Sequence, residues 1–231
     1  IKASKLVVDR HHTSTLLFDL TNRLYDLCEQ SDRPDLDRQI VRADPTQGIK
    51  VKRPKTEGFL PWSYEEILQF EKRWPVGTRE RVAFDVLLYT GLRRGDAARL
   101  GKQHVKGGGV IEIATEKTGE WVTIPVLDIL QKTLDAGPTG DLAFIATSKG
   151  GPMTKESFGN FFRDACRAAG IMDKSAHGLR KAAATRAADN GATEAQLEAI
   201  FGWRGGKMAY KYTQAANRRR LAAEAIDKLR A

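Results

Sequence analysis

Residues 110–126 read Val-Ile-Glu-Ile-Ala-Thr-Glu-Lys-Thr-Gly-Glu-Trp-Val-Thr-Ile-Pro-Val, and this stretch decides the fold class. The runs 110–115 and 121–126 are rich in β-branched residues and partly alternate apolar with polar, the period of a half-buried strand. Glu116-Lys117-Thr118-Gly119-Glu120 lies between them and reads as a hairpin turn. One small antiparallel sheet is therefore expected. Gly107-Gly108-Gly109 precedes a strand instead of joining a strand to a helix, so it reads as a plain turn and not as a phosphate loop.

Outward from the hairpin, the periodicity is helical. Upstream, Ser63 with Glu66 is a capping-box pattern that starts a helix. A second helix is expected from about Thr78 to Tyr89, where Val82, Val86, Leu87 and Tyr89 are apolar, and Gly91 then permits a sharp change of direction. Downstream, Thr154 caps a helix running to about Ala169, and Gly170 stops it. Another begins at His177 and stops at Gly191. Thr193 and Gln196 form a further capping box. A last helix is expected over about 215–230, with Leu221, Ala225, Ile226 and Leu229 on one stripe. The fold class is mainly α with a small antiparallel β-sheet, an α+β arrangement.

The first part of the chain reads differently. Leu16, Leu17, Leu20, Leu24 and Leu27 mark a helix over 13–30, which Pro34 ends. Asp44-Pro45 opens an extended stretch prolonged by Pro54. It carries Lys50, Lys52, Arg53 and Lys55 with no acid among them. Residues 1–43 are too few for a robust core and read as the tail of a helical domain cut by the start of the chain at Ile1. Residues 44–58 read as a basic linker, and 59–231 as the main domain.

Composition narrows the function. The chain has 231 residues, 41% hydrophobic and 29% charged, which suits a globular protein without disulfides. Cys28 and Cys166 match no metal or redox spacing, and a reducing cytosol is the expected setting. No apolar run is long enough to cross a bilayer, so no membrane partner is expected. The four histidines, His11, His12, His104 and His177, show no ligand spacing, so neither a metal nor another cofactor is expected. The net charge of +9, with a pI near 9.6, points to a nucleic-acid partner.

Five segments occur in a telling order: Thr90-Gly-Leu-Arg-Arg-Gly-Asp96, the hairpin around Lys117, His177-Gly-Leu-Arg180, Phe201-Gly-Trp203 and Met208-Ala-Tyr-Lys-Tyr212. Singly, each has a plain reading. Arg94 is as eligible as Arg93, and Lys117 is an ordinary solvated turn lysine. His177 is an ordinary first-turn residue and Trp203 a core aromatic, while Tyr210 competes with Tyr212. As an ordered set from about Trp62 to Ala231 they resemble the signature of the tyrosine recombinases and phage integrases. That family has Gly-Leu-Arg after a helix, a lysine in a β-hairpin, and a His-x-x-Arg on a helix. A His or Trp then stands nine residues before a nucleophilic tyrosine, as Trp203 does before Tyr212. Residues 13–58 are similar to the end of the family's core-binding domain.

The resemblance implies a catalytic set of Arg93, Lys117, His177, Arg180, Trp203 and Tyr212. Two guanidinium forks suit a phosphate that becomes more negative in its transition state. His177 would donate to that phosphate or assist proton transfer, and Lys117 would protonate the leaving 5′-oxygen. Tyr212 would attack and hold the DNA as a 3′-phosphotyrosine, which stores the bond energy so that rejoining needs neither ATP nor a metal. Trp203 stands where most relatives have histidine, and its indole N–H can donate but cannot carry a proton. Asp96 would support the Arg93 region, where relatives often carry Glu. The flexible, basic Arg204-Gly205-Gly206-Lys207 would let Tyr212 move into and out of the site.

The implied function is site-specific recombination of double-stranded DNA, by a homotetramer on DNA, with accessory DNA-bending or directionality proteins as further partners. The implied setting is the cytoplasm, on the nucleoid, for a bacterial or phage-encoded protein. A type IB topoisomerase-like enzyme and a DNA-binding module without catalysis are the competing readings.

Overall fold

Helix starts are fixed by side chains that take up the backbone N–H groups a first turn leaves without partners. In the computed structural model, which describes residues 58–229, this occurs at five places. The expected helix over 13–30, the domain tail 1–43 and all but the last residue of the linker 44–58 lie outside the described residues. Ser63 Oγ accepts from Glu66 N–H at 3.2 Å and the Glu66 carboxylate accepts from Ser63 N–H at 2.7 Å, starting α1, Tyr64–Arg73. Thr78 caps α2, Arg79–Thr90, and Gly91 ends it in the left-handed conformation at φ 62°. A short α3, Arg94–Arg99, follows at once.

The sheet has three strands in the order β1-β2-β3: β1 is Val105–Lys106, β2 Val110–Ala114 and β3 Trp121–Pro125. The β2–β3 register pairs Ile111 with Ile124 and Ile113 with Val122. These four face the core while Glu112, Thr123 and Trp121 face outward, as the two-residue period requires. Thr115 N–H donates to the Glu120 carbonyl, and Gly119 at φ 69° closes the turn that carries Lys117.

Four helices complete the domain: α4, Asp128–Ala136; α5, Lys155–Ala168, capped by Thr154; α6, Ala176–Asp189, capped by Ser175; and α7, Glu194–Phe201, capped by the Thr193–Gln196 box. The last helix, α8, spans Lys207–Ala225, with a 3₁₀ turn over Ile226–Leu229.

Helix α2 is the centre of the molecule and packs against α4, α5 and α6. Its near-continuous burial comes from a sequence, Val-Ala-Phe-Asp-Val-Leu-Leu, that is apolar on almost every side. Phe84 stacks on Phe70 of α1 at 4.4 Å and meets Trp62 edge-on, and Phe162 of α5 closes the cluster. A second, smaller core lies among α6, α7 and α8, built from Ala184, Ala188, Leu197, Phe201, Ala209 and Ala216, with Trp203 and Tyr212 against it. Small residues let these three helices approach closely.

Two differences from the sequence reading matter for function. The last helix begins at Lys207, not near 215, so Tyr212 sits inside a helix. Gly206, not a side-chain cap, marks its start, and no cap pattern signals it. Its terminal stripe is not a packing face: Leu221, Ile226 and Leu229 are exposed. Among the described residues, no helix is long and apolar enough to cross a membrane.

Candidate active site

The turn after α2 builds the first part of the site. Gly91 and Leu92 are buried, which leaves Arg93 half-buried at the N-cap of α3, and Arg93 Nη1 is buried without a hydrogen-bond partner. A desolvated guanidinium donor without an acceptor is costly, and an incoming anion would satisfy it. Arg94, its neighbour, is exposed and lines the same cleft.

Asp96 braces the helix that Arg93 opens. It is buried, and its Oδ1 accepts from Arg99 Nη2 at 2.9 Å and from the backbone N–H of Glu116 at 2.7 Å. It therefore fastens the base of the Lys117 hairpin to α3. Lys155 adds a 3.4 Å ion pair to Glu116, and Arg204 pairs with Glu120 at 2.5 Å on the other stem. Lys117 itself projects from the tip into solvent and lines the cleft that Arg93 enters.

Helix α6 supplies His177 and Arg180. Residues 59–62 strap across its first turn: Lys181 Nζ donates to the Phe59 carbonyl, Lys174 Nζ to Pro61, and Trp62 Nε1 to Ser175. A Cβ at Gly178 would strike the Leu60 carbonyl, so this close approach needs glycine. The strap sets the Phe59 ring 5.0 Å from the His177 imidazole. Partial burial, then Arg180, Lys181, Arg93 and Lys117, hold that imidazole below its ordinary pKa. His177 is thus neutral at pH 7 and free to accept or donate one hydrogen bond.

Arg180 is the most constrained member. It is 5% exposed and spans two turns, donating from Nη1 to the Gly91 carbonyl and from Nη2 to the Phe201 carbonyl at 2.7 Å. Its guanidinium also lies over the rings of Phe201 and Trp203, at 5.1 and 5.6 Å. Burial, then the Arg93 charge, lowers its pKa to about 10, which still leaves it cationic at neutral pH. Phe201, Trp203 and Tyr212 form a column of near-parallel rings, 4.7 Å and then 5.5 Å between centroids. Burial pushes the Tyr212 phenol above its ordinary pKa, and Arg180 opposes the shift. Tyr210 is 52% exposed and lies outside this column.

The six residues singled out from sequence thus fall in two adjoining groups. Arg93, Lys117 and His177 line one cleft of about 670 Å³, and Arg180, Trp203 and Tyr212 stack beside it. The field of Arg180 reaches both His177 and Tyr212. Phe59, Phe201, Lys155 and Arg163 also contribute, and the sequence reading did not single them out. Phe201 stood in a segment already marked, but the others have no local signal because distant chain segments bring them in.

The sequence profile of the phage integrase family matches residues 60–219. No curated protein sequence matches the chain. Among solved structures, a lambda integrase dimer bound to a COC′ core site is similar, with TM-score 0.60 and 19% identity, over 74% of this chain and 65% of that one. XerA recombinase gives 0.61 and 20%, over 76% and 67%. The Tn1549 transposon integrase in complex with circular intermediate DNA gives 0.58 and 18%, over 73% and 69%. At these identities the likeness is one of fold.

Proposed function

Because the chain belongs to the phage integrase family, we propose that it cuts and rejoins double-stranded DNA, with Tyr212 as the nucleophile and no metal or ATP. The observation that carries this reading is the placement of Arg180. It joins the Gly-Leu-Arg turn, through the Gly91 carbonyl, to the Phe-Gly-Trp turn, through the Phe201 carbonyl, with its charge felt at Tyr212.

In this reading the scissile phosphate enters beside Arg93 and accepts from its orphaned Nη1. Arg180 adds charge from behind, and Trp203 Nε1–H is available to a phosphate oxygen. The Tyr212 phenol, protonated at neutral pH, loses its proton to a neutral base, the role given to His177. Its Oη then forms a bond to phosphorus as the bond from phosphorus to the 5′-oxygen breaks. Lys117 delivers a proton to that oxygen from the hairpin tip. The 3′-phosphotyrosine conserves one phosphate ester for each broken one, so a 5′-hydroxyl can reverse the step.

Residues 1–43 are proposed as part of a core-binding domain and 44–58 as a linker following the DNA backbone. A homotetramer on DNA is the proposed working form. The exposed Leu221, Ile226 and Leu229, beyond Tyr212 on the same chain end, support a segment available to a neighbouring copy. One lambda integrase structure similar in fold is a tetramer bound to a Holliday junction. Accessory proteins and a place on the nucleoid belong to the same proposal. The test is strand exchange between two DNA sites recovered by covalent trapping. Exchange products are expected. Relaxation of supercoils without exchange would indicate topoisomerase activity, and binding without attachment a non-catalytic module.

A further inference from the structure

The proposed chemistry asks His177 to take a proton from Tyr212, and that requires an imidazole held in one orientation. Such a ring is normally oriented by a hydrogen bond at its second nitrogen. His177 is exposed, and among the described residues no group hydrogen-bonds its imidazole. The charged groups around it are Arg180 and Lys181 on its own helix, Arg93 from the turn after α2, and Lys117 from the hairpin. All four are cations. They oppose a proton on the ring but hold no neutral ring in place. What packs on the imidazole is the Phe59 ring, 5.0 Å away and tilted by 56°.

Residue 59 grips α6 at two points. His177 and Lys181 are one turn apart and share a face of the helix. The Phe59 ring lies on the first, and the Phe59 carbonyl accepts from the Nζ of the second. Gly58 enters this contact with left-handed backbone, at φ 72°, and a Cβ there would stand 3.5 Å from Lys181 Nζ. On the other side, the Pro61 carbonyl accepts from Lys174 Nζ at 2.7 Å, and Trp62 Nε1 donates to the Ser175 carbonyl at 3.0 Å. The backbone that carries the ring is therefore pinned before and after it. Phe59 itself is 56% exposed and joins neither hydrophobic core. Core packing does not account for an aromatic side chain here, whereas the contact with His177 does.

We propose that Phe59 is a positioning residue for proton transfer: its ring, anchored on α6 through the Phe59 carbonyl and Lys181, sets the orientation of the His177 imidazole and keeps water from part of it. The proposal rests on the DNA-cutting reading and deepens it. Phe59 acts through His177, so its loss changes the rate of attachment and the pH dependence of that rate, not the affinity for DNA.

The test has two readouts on the full chain. In the first, isotope-labelled histidine is titrated by NMR, with His177→Gln identifying the signal. Phe59→Ala is expected to remove the ring-current shift of the His177 protons. It is also expected to raise the titration midpoint, because added hydration favours the charged ring. In the second, single-turnover attachment is followed on nicked suicide DNA. Phe59→Ala is expected to lose roughly two- to tenfold in rate at saturating DNA, the equivalent of one aromatic contact. The loss is expected to be larger on the acid side of neutrality, with the half-saturating DNA concentration unchanged. Phe59→Tyr keeps the ring and is expected to restore both readouts. Unchanged His177 signals in Phe59→Ala, or a Phe59→Tyr chain no faster than Phe59→Ala, overturns the proposal. A loss confined to DNA affinity also overturns it and makes Phe59 a DNA contact. An unaltered chain that forms no adduct while its His177 signals respond to Phe59→Ala would sink the DNA-cutting reading and leave the ring contact standing, so the two failures are distinguishable.

Discussion

The indole of Trp203 lies parallel to the phenol of Tyr212, with 5.5 Å between centroids and 9° between planes. The indole also stacks on Phe201, and the Arg180 guanidinium lies over both rings. The place of Trp203, nine residues before Tyr212, is therefore one of packing in this chain. Its indole is a surface against which the tyrosine ring is set. A stacked aromatic pair adds about 0.5–1.5 kcal/mol beyond the area it buries, enough to hold a side chain without locking it.

Trp203→Phe keeps the stacking surface and removes the N–H, whereas Trp203→Ala removes both. Single-turnover cleavage should fall further for alanine than for phenylalanine. Phe201→Leu should lose at most about tenfold in rate, the kinetic equivalent of one stacking contact, while DNA affinity stays near its starting value. Equal losses for phenylalanine and alanine at 203 would assign the whole effect to the indole N–H.

The two arginines should separate in a stability measurement. Removing a phosphate-directed donor in such a site costs about 10²–10³ in rate, so Arg93→Ala and Arg180→Ala should both cripple cleavage. Arg180→Ala also strips the Gly91 and Phe201 carbonyls of a buried donor, at about 1–3 kcal/mol for each group left unsatisfied. Arg93→Ala removes a donor that has no partner on the protein. Chemical denaturation should therefore show a clear loss for Arg180→Ala and little or none for Arg93→Ala. Equal losses would place Arg93 in the structural framework.

Much of the fold was legible because its punctuation is local. Ser63 with Glu66, Thr78, Gly91, Thr154 and Thr193 with Gln196 each announce a helix end through a bond within four residues. Helix α3 escaped because six residues show too little period, and α4 because Leu127 at its N-cap makes no side-chain bond. The start of α8 at Lys207 escaped for the same reason: Gly206 caps nothing. In the site, spacing nominated Tyr212 over Tyr210, and of the two Tyr212 stacks on Trp203 while Tyr210 is exposed. The hairpin contact of Asp96 was not legible. Its partner is a backbone amide twenty residues away, and only the folded hairpin brings that group near.

The depressed pKa of His177 sets a pH expectation. Burial and four nearby cations favour the neutral ring, so proton acceptance should persist below pH 6.5 and fail only as pH falls through the lowered value. The acid limb of kcat/KM for attachment, which reports the free protein, should lie below pH 6.5. His177→Gln should remove that limb. A limb above 6.5 that survives the substitution would take His177 out of proton transfer.

The most direct measurement is the site of covalent attachment. The full chain is incubated with nicked suicide DNA substrates, digested, and the DNA-linked peptide identified by mass spectrometry. The linked residue should be Tyr212, with attachment abolished in Tyr212→Phe, retained in Tyr210→Phe, and DNA binding nearly intact in both. Attachment at Tyr210, or attachment that persists in Tyr212→Phe, would contradict the account.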